Sequence, residues 1–184
     1  MESLTLIPFK ERPDLIAAPV FEVLSSESSA VNSSEMLITE IDPAFKGGHE
    51  FCSNYGVDPQ NGANCVILEA KRGDRAWYVA ALIPVGARMD IGGAVRRSVN
   101  ARKLGVAPLH AVLAATNMEY GSITAIGLPA DWTVLVDNRV AAREFVFLGS
   151  GKAKSKLRVP GAFFVSNARF TIFPNLGIFD TNKG

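Results

Sequence analysis

Few side chains in this sequence are reactive, and their spacing excludes most familiar catalytic arrangements. The only cysteines, Cys52 and Cys65, lack CxxC spacing, and the only histidines, His49 and His110, stand alone. That inventory argues against a structural zinc site, requires no disulfide, and leads us to expect neither metal nor cofactor. No serine lies in a GxSxG elbow, and neither cysteine sits in a known nucleophile context. His110, inside an apolar helical stretch, reads as a partly buried structural residue, and both cysteines read as small core hydrophobes.

Gly149-Ser150-Gly151-Lys152 resembles a fragment of a phosphate loop, but the first glycine of that pattern would fall at Val146, and Ala153 stands where Ser or Thr is needed. It reads instead as a turn between strands. Lys152, Lys154, Lys156 and Arg158 alternate, so an extended segment would point all four toward one side. Phosphate contact with RNA and a solvated edge that resists aggregation both fit that pattern. Gly121-Ser122-Ile123-Thr124-Ala125-Ile126-Gly127-Leu128-Pro129 is punctuated by glycine and proline, and would expose backbone N–H and C=O groups suited to a small ligand.

The elements that would position these residues follow from local patterns. Pro13 to Leu24 has apolar residues at helical spacing, and 25–34 reads as a polar connection in which Asn32-Ser33-Ser34 matches a glycosylation sequon. Met36–Ile41 reads as a strand, and Asp42-Pro43 opens a helix expected to run to Tyr55 and close at Gly56. Gly47 and Gly48 weaken that helix by roughly 1 kcal/mol each. Cys65–Ala70 and Trp77–Ile83 form a hairpin around Lys71-Arg72-Gly73-Asp74-Arg75, and the unbroken apolar run of the second strand marks it as central. Helices are expected over Gly92–Leu104, carrying Arg96, Arg97, Arg102 and Lys103 on a wet face, and over Pro108–Thr116. Trp132–Val136, Glu144–Leu148 and Lys156–Val159 read as further strands.

With 184 residues and 48% hydrophobic side chains, the chain suits one domain with one core. Its 19 basic and 18 acidic residues leave a net charge of +1, so any nucleic-acid contact must come from a local patch. No apolar run approaches a membrane span, the N-terminus shows no secretory pattern, and a cytoplasmic location is expected. The order of elements predicts a mixed α/β (α+β) domain with a curled sheet, not a regularly alternating doubly wound one. Its divisions are an N-terminal helix and polar connection over 1–34, a main domain over 35–165 and an apolar tail over 166–184. That tail, Phe170 to Phe179, must pack on its own domain or on a neighbour.

Gly121 to Pro129, Val134-Leu135-Val136-Asp137, and Gly149-Ser150-Gly151 with Ser155-Lys156-Leu157 together resemble the C-terminal half of YbaK-like and prolyl-tRNA-synthetase insertion editing domains. Met89-Asp90 and Ala101-Arg102-Lys103-Leu104 occupy the corresponding upstream places, and the resemblance spans about 35–165. It implies a strongly curled, barrel-like mixed sheet flanked by helices, and hydrolysis of the ester of mischarged aminoacyl-tRNA. The acceptor end of that tRNA would be the partner, along with a synthetase or ribosome-delivery factor.

By that resemblance Gly121, Ser122, Ile123, Thr124, Ala125 and Ile126 would cradle the aminoacyl group, Gly127 and Pro129 would shape the turn, and Gly149, Ser150 and Gly151 would complete the substrate site. Asn64 stands where the family has a lysine, and Ala125 where its loop closes with proline. Asn64 and Lys103 would hold the terminal adenosine and its phosphate, and Lys152, Lys154 and Lys156 would contact RNA. The resemblance thus leads to a trans-acting deacylase weakened by the loss of a charge, or to a non-catalytic module that binds tRNA ends, nucleotides or small amino-acid derivatives.

Overall fold

The computed structural model describes residues 3–26 and 35–179; the polar connection with its sequon lies largely outside them. In chain order the elements are β1 (Ile7–Pro8), α1 (Ala18–Ser25), β2 (Leu37–Glu40), α2 (Gly48–Tyr55), β3 (Ala63–Arg72), β4 (Arg75–Pro84), β5 (Arg88–Met89), α3 (Ala94–Ser98), β6 (Lys103–Val106), α4 (Leu109–Thr116), β7 (Thr133–Asp137), α5 (Asn138–Ala141), β8 (Val146–Gly149), β9 (Ser155–Val159), α6 (Ala162–Ser166), β10 (Thr171–Phe173) and β11 (Gly177–Ile178).

Two sheets carry the fold, a four-stranded one ordered β1-β2-β9-β8 and a five-stranded one ordered β10-β7-β4-β3-β6, with β11 and β5 as a separate ribbon. The β7–β4 and β10–β7 pairs are parallel and the other strand pairs antiparallel. This is a mixed α/β single domain, but the barrel-like sheet expected from sequence is not formed. The two sheets meet at one parallel bridge between Gly62 and Phe147, just before β3, and neither closes on itself.

The hairpin forms as its sequence dictates. All ten residues of β3 pair with β4, and Gly73 takes φ 58 in the two-residue turn, a region open to glycine at no steric cost. Strand β4 is central, and its alternation divides the interior. Ala80 and Leu82 face the main core with Phe9, Leu15, Val20, Phe163 and Phe164, while Val79, Ala81 and Ile83 face a second cluster with Leu135 and Leu176. Residues from the N-terminal, central and tail segments therefore share one interior.

Three expected helices are shorter. Residues 13–15 form a single 3-10 turn before α1. The helix from Pro43 breaks into a 3-10 turn, capped by Asp42, and α2, which begins after Gly47 and ends at Gly56 in the left-handed region. Only Ala94–Ser98 of the stretch 92–104 is helical. Asn100 at φ 56 turns the chain, and Lys103–Val106 becomes strand β6 beside β3. The tail packs on its own domain through β10 against β7 and β11 against β5, with Leu176 fully buried.

Candidate functional site

A pocket of about 290 Å³ opens where the start of β3, the 121–123 loop, the end of β8 and strand β9 converge. Asn64, Cys65, Gly121, Ile123, Gly149 and Lys156 line it, and exposed Tyr120 and Leu109 stand at its rim. Glycines make the convergence possible. A side chain at Gly149 would strike the carbonyl of Ser122, so its absence lets the loop settle directly on β8. A side chain at Gly48 would collide with Asn64 and Val85, so glycine there brings the start of α2 against β3.

The loop alternates in what it offers. Gly121 and Ile123 border the pocket, whereas Ser122 and Thr124 are buried and their hydroxyls have no hydrogen-bond partner among the described residues. Ala125 and Ile126 belong to the main core. Gly127, at φ 76, packs on the backbone of Pro19 and Val20, and the Pro129 carbonyl accepts from Arg169 Nη2 at 2.7 Å. Ser150 is enclosed, its Oγ 2.6 Å from that of Ser155, and Gly151, at φ 81, packs against Ala17 and Met118. Gly127, Pro129, Ser150 and Gly151 thus hold the walls in place and do not line the cavity.

Lys103 lies elsewhere. It pairs in register with Lys71, seven residues along β3 from Asn64, a separation of roughly 23 Å. The cation in the pocket is Lys156, which the sequence pattern had grouped with surface charges. It is 4% exposed, its Nζ sits 5.5 Å from the centre of the Phe51 ring, and it makes no ion pair or hydrogen bond among the described residues. Burial pushes its ammonium down to about 8, opposed by the more distant Cys52 and Glu50.

The expected four-cation strip is not extended. Lys152 and Lys154 occupy the turn before β9, 3.5 Å from Glu119 and 3.7 Å from Asp14 respectively, and Arg158 stacks over Phe145. Lys46, half-buried, adds a second cation near the rim, 5.9 Å from the centre of the Tyr120 ring and against Gly121.

Nothing in the pocket resembles an activated nucleophile. Apolar surroundings push the Cys65 thiol up to about 12 although the residue keeps some exposed surface, and burial also raises Cys52. His49 and His110 are both exposed. The partly buried role expected of His110 fails because α4 turns Val112 and Thr116 inward and leaves His110 on the outer side.

A larger cavity of about 420 Å³ lies at the far end of the five-stranded sheet, lined by Arg72, Arg75, Trp77, Asn100, Asp131 and Phe173 among others. Its cations already have partners: Arg72 donates to Asn100 Oδ1, and Arg75 stacks over Trp77 at 5.1 Å.

Among solved structures, one described as a proposed trans-editing enzyme for prolyl tRNA synthetase superposes with a TM-score of 0.67 at 15% identity, covering 92% of this chain and 98% of that one. A hypothetical protein superposes with 0.67 at 17% identity, covering 77% and 90%. A protein from Marinobacter aquaeolei assigned to signal transduction gives 0.60 at 16%, covering 91% of this chain but 32% of that one. At such identities these likenesses establish the fold alone. Comparison with curated proteins finds no match. A family model described as the aminoacyl-tRNA editing domain matches residues 42–165, which contain every residue lining the smaller pocket. The chain therefore belongs to the aminoacyl-tRNA editing domain family.

Proposed function

We propose that this chain is a trans-acting aminoacyl-tRNA deacylase, hydrolysing the ester between a misplaced amino acid and the terminal ribose. The observation that carries this reading is the convergence of Asn64, the Gly121–Ile123 backbone and a buried cation on one small pocket. Water attacks the ester carbonyl carbon, the carbon–oxygen bond to the ribose breaks, and the leaving ribose oxygen takes up a proton. The neighbouring ribose hydroxyl assists, so no protein nucleophile is needed, in keeping with thiols held protonated by burial. The protein's share is orientation and electrostatics. The Asn64 amide is suited to stabilise the charge that develops on the carbonyl oxygen, while the close-set walls hold the acyl group.

A second reading, a module that binds tRNA ends without hydrolysing them, is favoured by one feature: Asn64 brings no charge where the family has lysine. Lys156, lining the same pocket, weighs against it.

Both readings place tRNA against the protein surface beyond the pocket. The turn with Lys152 and Lys154 adjoins the 119–122 loop, and Lys71, Arg72, Arg75, Arg96, Arg97 and Lys103 crowd the hairpin end of β3. A deacylation time course against a panel of mischarged tRNAs, with Gly121→Val as the crowded-loop control, tests the enzyme. Release above the spontaneous rate by the wild type and not by the variant supports it. Tight binding of tRNA ends with no release on any substrate leaves the binding module.

A further inference from the structure

We infer that Lys156 makes this pocket selective for an acyl group that ends in a carboxylate, so that the substrates are aspartyl- or glutamyl-type esters. The inference rests on the deacylase reading above and specifies its substrate class.

Lys156 is nearly inaccessible, yet among the described residues its ammonium lies near the Phe51 ring alone and has no carboxylate, carbonyl or hydroxyl partner. An ammonium taken out of water is costly unless it is paired, and buried cations in folded proteins are almost always matched. Its titratable surroundings are limited. Glu50 and Cys52 of α2 act on it from beyond pairing distance, Cys65 is a protonated thiol, and Tyr120 and Lys46 stand at the rim. None of them supplies the missing anion. Because the residue lines a cavity, the partner can arrive from outside.

Two placements separate the candidate anions. The phosphate linking the last two nucleotides would stay near the pocket mouth with the polynucleotide, where Lys46 lies half-buried beside Tyr120. Lys156 is buried instead, on β9 with its Cα paired to that of Gly149, the residue on which the backbone of Ser122 and Ile123 rests. The group that meets a buried cation inside the cavity is then the amino acid, not the polynucleotide. The α-carboxyl is consumed in the ester, so the remaining anion is a side-chain carboxylate. A neutral side chain would leave the substrate's own α-ammonium and Lys156 as two unscreened like charges in one small cavity; a carboxylate offsets both. The glycines at 47, 48, 121 and 149 leave the room that such a side chain needs.

The full chain and its Lys156→Met and Lys156→Arg variants are compared on one tRNA charged with glutamate, glutamine, aspartate, asparagine or alanine. The wild type is expected to release the acidic residues at least tenfold faster than their amides. Lys156→Met abolishes that preference, the acidic esters losing at least tenfold more than alanine does, and Lys156→Arg retains part of it. In parallel, amide-linked glutamyl- and glutaminyl-adenosine are titrated calorimetrically, which separates recognition from chemistry. Preference for the glutamyl analogue with no hydrolysis of any ester leaves this inference standing and removes the deacylase. Equal loss on all five esters in Lys156→Met, or a wild type that prefers the amides, overturns the inference, since Lys156 would then serve the common tRNA end. Melting temperatures guard against misfolding: Lys156→Met is expected to melt higher than the wild type, because it removes an unpaired buried charge.

Discussion

The two ends of strand β3 solve opposite electrostatic problems. At the hairpin end, several cations stand in solvent around a wide cavity, each free to be hydrated or already stacked or hydrogen-bonded. At the other end one lysine is buried against a smaller cavity, with the Phe51 ring near its ammonium and no anion paired to it among the described residues. Exposed charge costs the fold almost nothing and carries correspondingly little information, whereas a buried unpaired charge is retained against a penalty. The smaller cavity is thus the better site, although it is neither the roomiest nor the most highly charged.

The contrast breaks most severely if the smaller cavity is filled from its wall. Gly149→Val would drive a side chain into the Ser122 carbonyl, and is expected to cost on the order of 3 kcal/mol in stability and to abolish binding of terminal-adenosine analogues. Thermal unfolding and calorimetric titration check both effects; a variant with unchanged stability and binding would mean that the loop does not depend on its seat on β8.

Lys156 sharpens the contrast through pH. Its folded-state value, depressed to about 8 from an ordinary 10.5, means that the folded chain gives up a proton the unfolded chain keeps. The resulting penalty is fully present below pH 8 and is relieved as pH rises from about 8 to 10.5. That is an effect of about 3 kcal/mol at most, since each tenfold change in proton affinity is worth about 1.4 kcal/mol. Glu50 and Cys52 face the same amine, so the measurement is the difference in denaturant stability between wild type and Lys156→Met across that window. The gap should narrow with rising pH. A constant gap would mean that Lys156 is not buried as a charge.

Asn64→Ala removes a neutral hydrogen-bonding group from the pocket and should slow deacylation roughly tenfold to a hundredfold, read in single-turnover rates, with little change in melting temperature. At the hairpin end, changing Arg72, Arg75 and Arg97 to Ala should alter stability by less than about 0.5 kcal/mol each. Any effect on tRNA affinity should appear as a shallower salt dependence, the slope of log affinity against log salt falling by roughly one for each phosphate no longer neutralised. Lys152→Ala with Lys154→Ala should be smaller still, because both cations already have carboxylate neighbours.

Much of this arrangement was legible in the sequence, and the failures have physical causes. The hairpin and the central strand were readable because a charged glycine turn between two apolar runs permits little else. The glycine-rich loop was readable because its composition cannot continue a helix or strand. Strand β6 was missed: Arg96 to Lys103 looks like the wet face of a helix until Asn100 turns the chain, and that turn is fixed by the backbone of Arg102, whose N–H donates to the Lys71 carbonyl. Lys156 was misplaced because alternation alone assigns a lysine in a strand to solvent. The available signal was its setting in Ser155-Lys156-Leu157-Arg158-Val159, a strand lying between β2 and β8 and covered on both sides, where a cation needs a cavity or a partner.

The family match ends at residue 165, but the parallel edge of β7 is covered only afterwards, by β10. Beyond it, Gly177 donates to the buried Asp137 carboxylate, and Arg139 reaches back to the Gly177 carbonyl. Burial alone would raise the Asp137 carboxyl, but hydrogen bonds from Arg139 and from the amides of Gly177 and Arg139 hold it below the usual carboxylate range. A protein trimmed to the family boundary would keep every wall of the pocket while baring a strand edge flanked by newly exposed apolar surface, a template on which further copies could add. For anyone preparing this domain for crystals or assays, the last strands act as a solubility element, and cutting them is expected to give filaments or precipitate before it disturbs the pocket.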